Sequence, residues 1–525
     1  MESTESTASG AKWRRIGIAA GLFTILYVPF AAKPVHIDDA NFLMLAEGAA
    51  RDPWRPHNLT INWSGTTEPA FDILANPPGI AWYLAPVRHS PEWVLHLWML
   101  PWLALGGWGC WRLGMDFAGG SGFLAAVYLL TCPVVVISTH ALTPDLPVFA
   151  CMSAGIAGFY AFPRLRAPFA LLAGCTALFR YSGCTVVPLL ILIGWQRQSW
   201  RGVALAFLSA VPIALLVLHD LDAYNRVHLL AMFSSQNDSQ KTVVDSIHNM
   251  IAGIAMLGGA AVLPVLVWRR ESIIGAIIGA AVGLDAAWLT GLTVNQTIPA
   301  VLSTAAGAAA LSLAFAPRTR DPILSVWALG GAAFFFVVRF AATRYWAAFF
   351  PAVGLLAFRN AQRSKSWLTA GIAMNTLISF GVAVDDQNLA QAYRDAAKEV
   401  ASRGTGTFSG HWGWQHYLEK AGWTPIERNG QPGALHAIPV YGDAQLPDPS
   451  VCLRLVDRFS MPDRWPGPRV YSRHDRAFYH AGGGGSYAPW TLSDEPYDVI
   501  SVYRRCDTET DTANEKEKHA QPEGQ

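Results

Sequence analysis

Apolar runs dominate the first 384 positions of the chain, and polar sequence punctuated by proline and glycine makes up the rest. In order, the runs are Ile16–Ala32, Trp93–Trp111, Gly122–Ser138, Leu146–Phe162, Phe169–Leu178, Thr185–Trp195 and Val203–Leu218. They continue with Met250–Trp268, Ile273–Leu292, Ile298–Ala316, Ile323–Val338, Tyr345–Phe358 and Leu368–Val384. That is about thirteen segments, most of them near the length that crosses roughly 30 Å of hydrocarbon. Two of them, Phe169–Leu178 and Thr185–Trp195, are too short. A helix from Pro168 to Arg180 rises only roughly 18 Å, so the pair predicts a hairpin of short helices with Phe179-Arg180-Tyr181-Ser182-Gly183 at its tip. An arginine at that depth either faces a polar cavity or a partner, or snorkels outward.

After Val384 the pattern changes in kind. Asp385–Arg403 reads as an amphipathic surface helix, with Leu389, Ala392, Ala396 and Val400 on one face. Thr407-Phe408-Ser409 predicts a short strand, Trp412–Ala421 a helix ended by Gly422, and short strands follow up to Val499–Tyr503. Gly482 to Gly485 read as a flexible linker, and Asp507–Gln525 as a disordered polar tail. The expected organisation is a transmembrane catalytic domain over 1–384 with a first outer loop at 33–92, a small extracytoplasmic α/β domain over 385–506, and the tail.

Composition sharpens the class. Of 525 residues, 52% are apolar and only 15% charged, too little charge to cover a water-facing surface of that size. A net charge of +1 supplies no basic field, which argues against nucleic acid as the main partner. The chain therefore reads as an all-α polytopic membrane protein with a small α/β domain attached. The first run follows Lys12, Arg14 and Arg15 without a convincing cleavage site, as a retained anchor would. With the N-terminus cytoplasmic, every inner turn is basic: Arg112, Arg164 with Arg166, Arg197 with Arg201, Arg269 with Arg270, Arg318 with Arg320, then Arg359, Arg363 and Lys365. Odd parity then puts everything after Val384 outside. Cys452 and Cys506 are the two cysteines outside apolar segments, so in an oxidising compartment they are expected to pair.

The densest polar signal is in the first outer loop. His36-Ile37-Asp38-Asp39 directly follows the first run and precedes a short helical pattern. Asp38 either caps that helix, with Asp39 favouring its positive end, or is a carboxylate held at the membrane surface as a general base. Glu68, Asp72 and Asn76 lead into Asn76-Pro77-Pro78 and an aromatic run, and the second outer turn, Thr143-Pro144-Asp145, carries a single acid. His411 and His416 are five apart, poor spacing for two ligands on one helical face, and their Trp-rich setting favours packing over sugar stacking.

An acidic pair after the first span, a long loop ending in Asn-Pro-Pro plus aromatics, and a Thr-Pro-Asp second loop together resemble the GT-C superfamily of membrane glycosyltransferases. Within it the chain is similar to the bacterial protein O-mannosyltransferases and the lipid A aminoarabinose and galacturonic acid transferases. Phe179-Arg180-Tyr181-Ser182-Gly183, Arg344-Tyr345 with Pro351, and Gly410 to Glu419 fit the same resemblance. It implies a polyprenyl-phosphate sugar donor, with Asp38 as the base that activates an acceptor hydroxyl for inverting displacement. Asp39 stands where the family often has Glu. Asp145 would orient the acceptor or a metal. Ala75-Asn76 replaces an acid found in some relatives, which puts a metal site in doubt, though Asp72 or Glu68 could substitute; no cofactor is assigned and a divalent metal stays open. The leaving lipid phosphate needs cations, for which Arg344 beside Tyr345 comes first, then Arg180, then Arg339; interfacial snorkelling is the plain alternative for Arg339 and Arg344. The acceptor is lipid, polysaccharide or protein, and the expected location is the bacterial inner membrane. A transporter or flippase of a lipid-linked saccharide is the rival reading. It accounts for many spans and a buried arginine but not for the loaded first outer loop, and no internal repeat supports it.

Overall fold

The computed structural model describes residues 2–63, 65–119, 121–232, 242–260, 269–317, 321–338, 340–361, 365–428, 430–441, 444–462, 465–471, 478–479, 487–492 and 495–506. Arg339, the Gly482 to Gly485 linker and the tail from Asp507 lie outside the described residues. Among the described residues, five helices are long and apolar enough to cross a membrane: Trp200–Tyr224, Val243–Ala260, Arg270–Thr290, Val294–Phe315 and Ser366–Ala401. A sixth is the bent pair Gly122–Leu130 and Pro133–Thr139, which turns by 67° at its break. Pro133 opens the second half, and its ring and missing N–H prevent the first helix from running on. Asp145–Ala161 and Pro322–Val337 are shorter apolar helices, and Glu92–Phe117 is a helix of 26 residues.

Small residues set how closely the helices approach. Gly275, Gly279 and Gly283 recur every four positions on Arg270–Thr290 and face Val294–Ser312; a Cβ on Gly279 would lie 2.5 Å from the Thr304 carbonyl oxygen. This is the small-xxx-small contact that packs helices where lipid removes the hydrophobic drive. The connection between the two helices is short because Gly291 takes a left-handed turn (φ 65°) and Thr293 and Gln296 form a reciprocal capping box.

The expected hairpin of short helices is present. Arg166–Gly174 passes through a 3-10 turn at Cys175–Leu178, the chain is extended at Arg180, and Tyr181–Thr185 leads into the helix Val186–Gln196. The expected break after Val384 is absent. A single helix runs through Lys365–Ala401, about 56 Å at the usual rise per residue. Asp385 and Asp386 mark where hydropathy falls, but no Pro or Gly follows to end the helix until Gly404. Leu389, Ala396 and Val400 are buried, as the amphipathic pattern requires.

Beyond that helix lies a five-stranded sheet of order β4-β3-β5-β7-β6, with β3 Thr407–Phe408, β4 Thr424–Pro425, β5 Leu435–Pro439, β6 Leu453–Met461 and β7 Asp498–Arg505. β3 pairs in parallel with β4 and β5, while β7 is antiparallel to β5 and β6. The helix Trp412–Lys420 crosses between β3 and β4. Cys452 and Cys506 form a disulfide with Cα atoms 5.4 Å apart, joining the start of β6 to the end of β7. The loop over 33–92 carries the helix Asp39–Arg51, a small hairpin of β1 Thr60–Asn62 and β2 Thr67–Pro69, and a helix Gly79–Leu84 that starts directly after Pro77-Pro78.

Candidate active site

The segment Lys33 to Asp39 leaves the first helix extended and then turns sharply. Ile37 has φ 46° and is buried. A β-branched residue in the left-handed region costs roughly 1–3 kcal/mol and persists only where its surroundings enforce it. The flanking side chains supply that enforcement. Lys33 Nζ and His36 Nε2 each donate to Asp386, at 2.7 Å, and all three residues are buried. Tyr479 OH donates to the same carboxylate. The Val35 N–H donates to Tyr417 OH at 3.0 Å, and Gly413 lies so close that a Cβ there would be 2.5 Å from the Val35 carbonyl oxygen. Burial, then Lys33, pushes His36 down to about 3, so it is neutral and acts as a donor to Asp386.

Asp39 faces inward. It accepts the Leu142 N–H at 2.7 Å and, at 3.4 Å, that of His36, which ties the 33–92 loop to the turn before Asp145. Burial pushes its carboxyl up to about 6 against the opposing effects of Lys33 and the two N–H groups. Asp38 is different. It occupies the N-cap position of Asp39–Arg51, yet its side chain makes no capping hydrogen bond, which removes capping as the account of its carboxylate. That carboxylate accepts from Arg344 Nη2 at 2.5 Å and keeps 23% side-chain exposure, so it remains reachable.

Arg344 stands on the 3-10 turn Thr343–Ala348 and is buried. Among the described residues, nothing pairs with its buried Nε and Nη1. Donors of a buried cation left unmatched are costly unless a ligand takes them. Tyr345 links this pair to a second one: its ring centre is 5.8 Å from the Arg344 Cζ and 4.6 Å from the Arg180 Cζ. Arg180 Nη2 donates to Asp145 at 3.1 Å, and its Nε is 2.9 Å from the other carboxylate oxygen. Asp145 is fully buried at the first turn of Asp145–Ala161.

Five of the residues singled out from the sequence thus form one chain of contacts: Asp38, Arg344, Tyr345, Arg180 and Asp145. Glu68, Asp72 and Asn76 do not join it among the described residues. Glu68 accepts from Thr66, Asp72 pairs with Arg226 at 2.6 Å on the surface, and the Asn76 carbonyl is 3.1 Å from His57 Nε2. Among the described residues no three His, Cys, Asp or Glu side chains converge as a metal site, and Asp145 already holds Arg180, so a divalent metal does not fit this cluster. His411 stacks on Trp63 with ring centres 4.3 Å apart, a packing role.

Sequence reasoning passed over Asp385, Asp386 and Tyr479. Asp386 holds the first outer loop, as above. Asp385 accepts from the Val470 N–H at 2.7 Å and from Tyr497 OH at 2.6 Å, so it holds the C-terminal region. The available signal was two adjacent acids at the polar end of the last apolar run.

The fold and this cluster define a helical membrane protein with an acid–arginine site where the 33–92 loop, the long helix and the C-terminal region meet. Neither a family model nor a curated protein matches the chain. Two solved structures are similar to it, both of ArnT from Cupriavidus metallidurans, an aminoarabinose transferase of the GT-C family. The apo structure shares 16% identity, over 76% of this chain and 73% of that one, with a TM-score of 0.42. The structure bound to undecaprenyl phosphate shares 12% identity, over 94% and 98%, with a TM-score of 0.43. At these identities and scores the likeness assigns no role to any residue above.

Proposed function

We propose that the chain is an inverting membrane glycosyltransferase of the GT-C type, moving a sugar from a polyprenyl-phosphate donor to a hydroxyl acceptor at the outer face of a bacterial inner membrane. The observation that carries this reading is the Asp38–Arg344 pair. A reachable carboxylate is bonded to one nitrogen of a buried guanidinium whose other two donating nitrogens find no partner among the described residues. Arg344 would hold phosphate oxygens through Nε and Nη1 while Nη2 stays with Asp38, so base and leaving-group cation form one hydrogen-bonded unit.

In the reaction, Asp38 takes the proton of the acceptor hydroxyl, and the oxygen attacks the anomeric carbon. The bond from that carbon to the phosphate oxygen breaks, and the lipid phosphate leaves with the electron pair toward Arg344. Arg180, fixed by Asp145 and lying over Tyr345, adds positive charge to the same side. Asp39 orients the segment and does not touch the reactants. Glu68, Asp72 and Asn76 are assigned no part. The acceptor class, whether lipid, polysaccharide or protein, stays open in this reading.

A transporter would carry its charged site near the bilayer midplane on broken helices. Here the acids sit where helices begin or end: Asp145 opens its helix and Asp38 precedes one. Purified protein given a polyprenyl-phosphate sugar and a hydroxyl acceptor should release polyprenyl phosphate. Movement of intact donor across a vesicle without any release would overturn the proposal in favour of transport.

A further inference from the structure

A second polar site lies at the other end of the same helices. Arg112 is 20 residues beyond Glu92 on Glu92–Phe117, about 30 Å along that helix. Tyr160 lies 15 residues beyond Asp145, about 22 Å along the next one. These ends meet the base of the short-helix hairpin, where Arg166 opens one arm and Arg197 closes the other. Together Arg112, Asp116, Tyr160, Arg166, Arg197 and Ser199 line a cavity of about 460 Å³.

The cavity is richer in cations than in acids. Arg112 pairs with Asp116 at 2.9 Å. Arg166 donates to Ser199 Oγ at 3.0 Å and to the Phe159 carbonyl at 3.3 Å, and the Arg197 Cζ lies 3.9 Å from the Tyr160 ring centre. Among the described residues, no carboxylate comes within ion-pair distance of Arg166 or Arg197. The nearby Asp321 caps its own helix and faces Arg359. Burial, and then the neighbouring Arg197, lower the Arg166 guanidinium below its ordinary value, so the two cations feel each other across the cavity. Within two positions of lining residues along the chain stand exposed apolar side chains, Leu165 at 51%, Trp195 at 63% and Trp200 at 74%, the two indoles with ring centres 5.6 Å apart. Tryptophans of this kind sit at headgroup level in a bilayer.

We propose that this cavity binds the phosphate of an anionic phospholipid, with the guanidinium groups of Arg112, Arg166 and Arg197 around the headgroup and the acyl chains lying along Leu165, Trp195 and Trp200. Basic pockets between helix ends are suited to such headgroups, and nothing in the proposed transfer reaction uses these residues. The exposed leucine and tryptophans next to the lining residues favour a lipid over a free anion of the same chemistry.

The test uses the full-length protein in neutral detergent, with binding read by native mass spectrometry and thermal shift. Phosphatidylglycerol should bind and raise the melting temperature, while phosphatidylcholine should not. Each basic residue near a headgroup contributes roughly a fivefold affinity, so Arg197→Gln should weaken phosphatidylglycerol binding about fivefold and Arg112→Gln/Arg197→Gln roughly 25-fold. Arg201→Gln, an exposed arginine that does not line the cavity, should bind as wild type. Stabilisation by inorganic phosphate equal to that by phosphatidylglycerol would overturn the lipid assignment. Unchanged phosphatidylglycerol binding in Arg197→Gln, or an equal loss in Arg201→Gln, would overturn the site. All of these readouts are independent of glycosyl transfer.

Discussion

Replacing Arg344 by lysine tests the phosphate assignment most directly, because it keeps the charge and removes the fork. Arg344 Nη2 is committed to Asp38 at 2.5 Å, and Nε and Nη1 have no partner. A lysine ammonium that stays with Asp38 cannot also present two further coplanar donors to a phosphate. Hydrogen bonds to charged groups contribute about 1.5–3 kcal/mol each, so losing two removes about 3–6 kcal/mol, or roughly 10²- to 10⁴-fold in rate. The assay is single-turnover release of polyprenyl phosphate by purified protein in lipid nanodiscs at saturating donor, alongside donor affinity and melting temperature. Because the phosphate gains charge as the anomeric bond breaks, turnover should fall more than donor affinity. Melting should change little, since the buried cation and its bond to Asp38 are retained. Near wild-type turnover of Arg344→Lys would refute the assignment and leave Arg344 as a structural partner of Asp38, with Arg180 as the remaining phosphate candidate.

Asp38→Asn loses no side-chain cap and keeps an amide oxygen for Arg344, but it strips the ion-pair partner from that buried guanidinium, so some stability should be lost; transfer normalised to folded protein should still fall about 10²- to 10⁴-fold, and full activity would remove Asp38 as the base. Asp386→Asn strips the counter-charge from a fully buried Lys33 and should destabilise by about 3–5 kcal/mol in chemical denaturation, with Lys33→Met/Asp386→Leu recovering much of the loss; a silent single variant would mean that the pair is not what anchors the loop. Asp39 gives a pH dependence: its folded value of about 6 lies above the ordinary 3.8, so its contribution is fully present below about pH 4 and is lost as pH rises through 6, about 3 kcal/mol in all. Asp39→Asn should flatten the stability profile across that window, and an unchanged slope would assign it to other groups.

The candidate site was legible in the sequence where chemistry and position coincide. An aspartate just after an apolar run and arginines at the ends of others stand out because charge at a membrane boundary is conspicuous against apolar sequence. What sequence could not tell was which of these meet. Asp38 and Arg344 are 306 positions apart, and only the packing of the helices brings them into contact. Glu68 and Asp72 are close to Asp38 along the loop, but closeness in sequence is not closeness in space: the hairpin β1–β2 and the surface pair with Arg226 hold them apart from the Asp38–Arg344 pair among the described residues. Asp385 and Asp386 mark the end of an apolar run, and hydropathy records only where such a run stops. The backbone has no reason to stop there, and the helix continues to Ala401.

That continuation explains how a general base could be placed so closely by a flexible-looking loop. The segment from Lys33 to Asp39 is held at four points by partners from different parts of the chain: Lys33 and His36 by Asp386, Val35 by Tyr417, and Asp39 by Leu142. The strained turn at Ile37 costs roughly 1–3 kcal/mol, less than the buried Lys33–Asp386 pair would lose if broken, so the anchors can enforce it. Asp38 is the carboxylate in the segment whose bond goes to the arginine with unmatched donors rather than to the scaffold. Its direction is therefore fixed by neighbours that touch no reactant, which is the arrangement that pre-positions a catalytic group. It follows that Tyr417→Phe, which removes one anchor and no site group, should lower turnover through the placement of Asp38 while donor affinity holds. A parallel loss of donor affinity would instead place Tyr417 within the binding site itself.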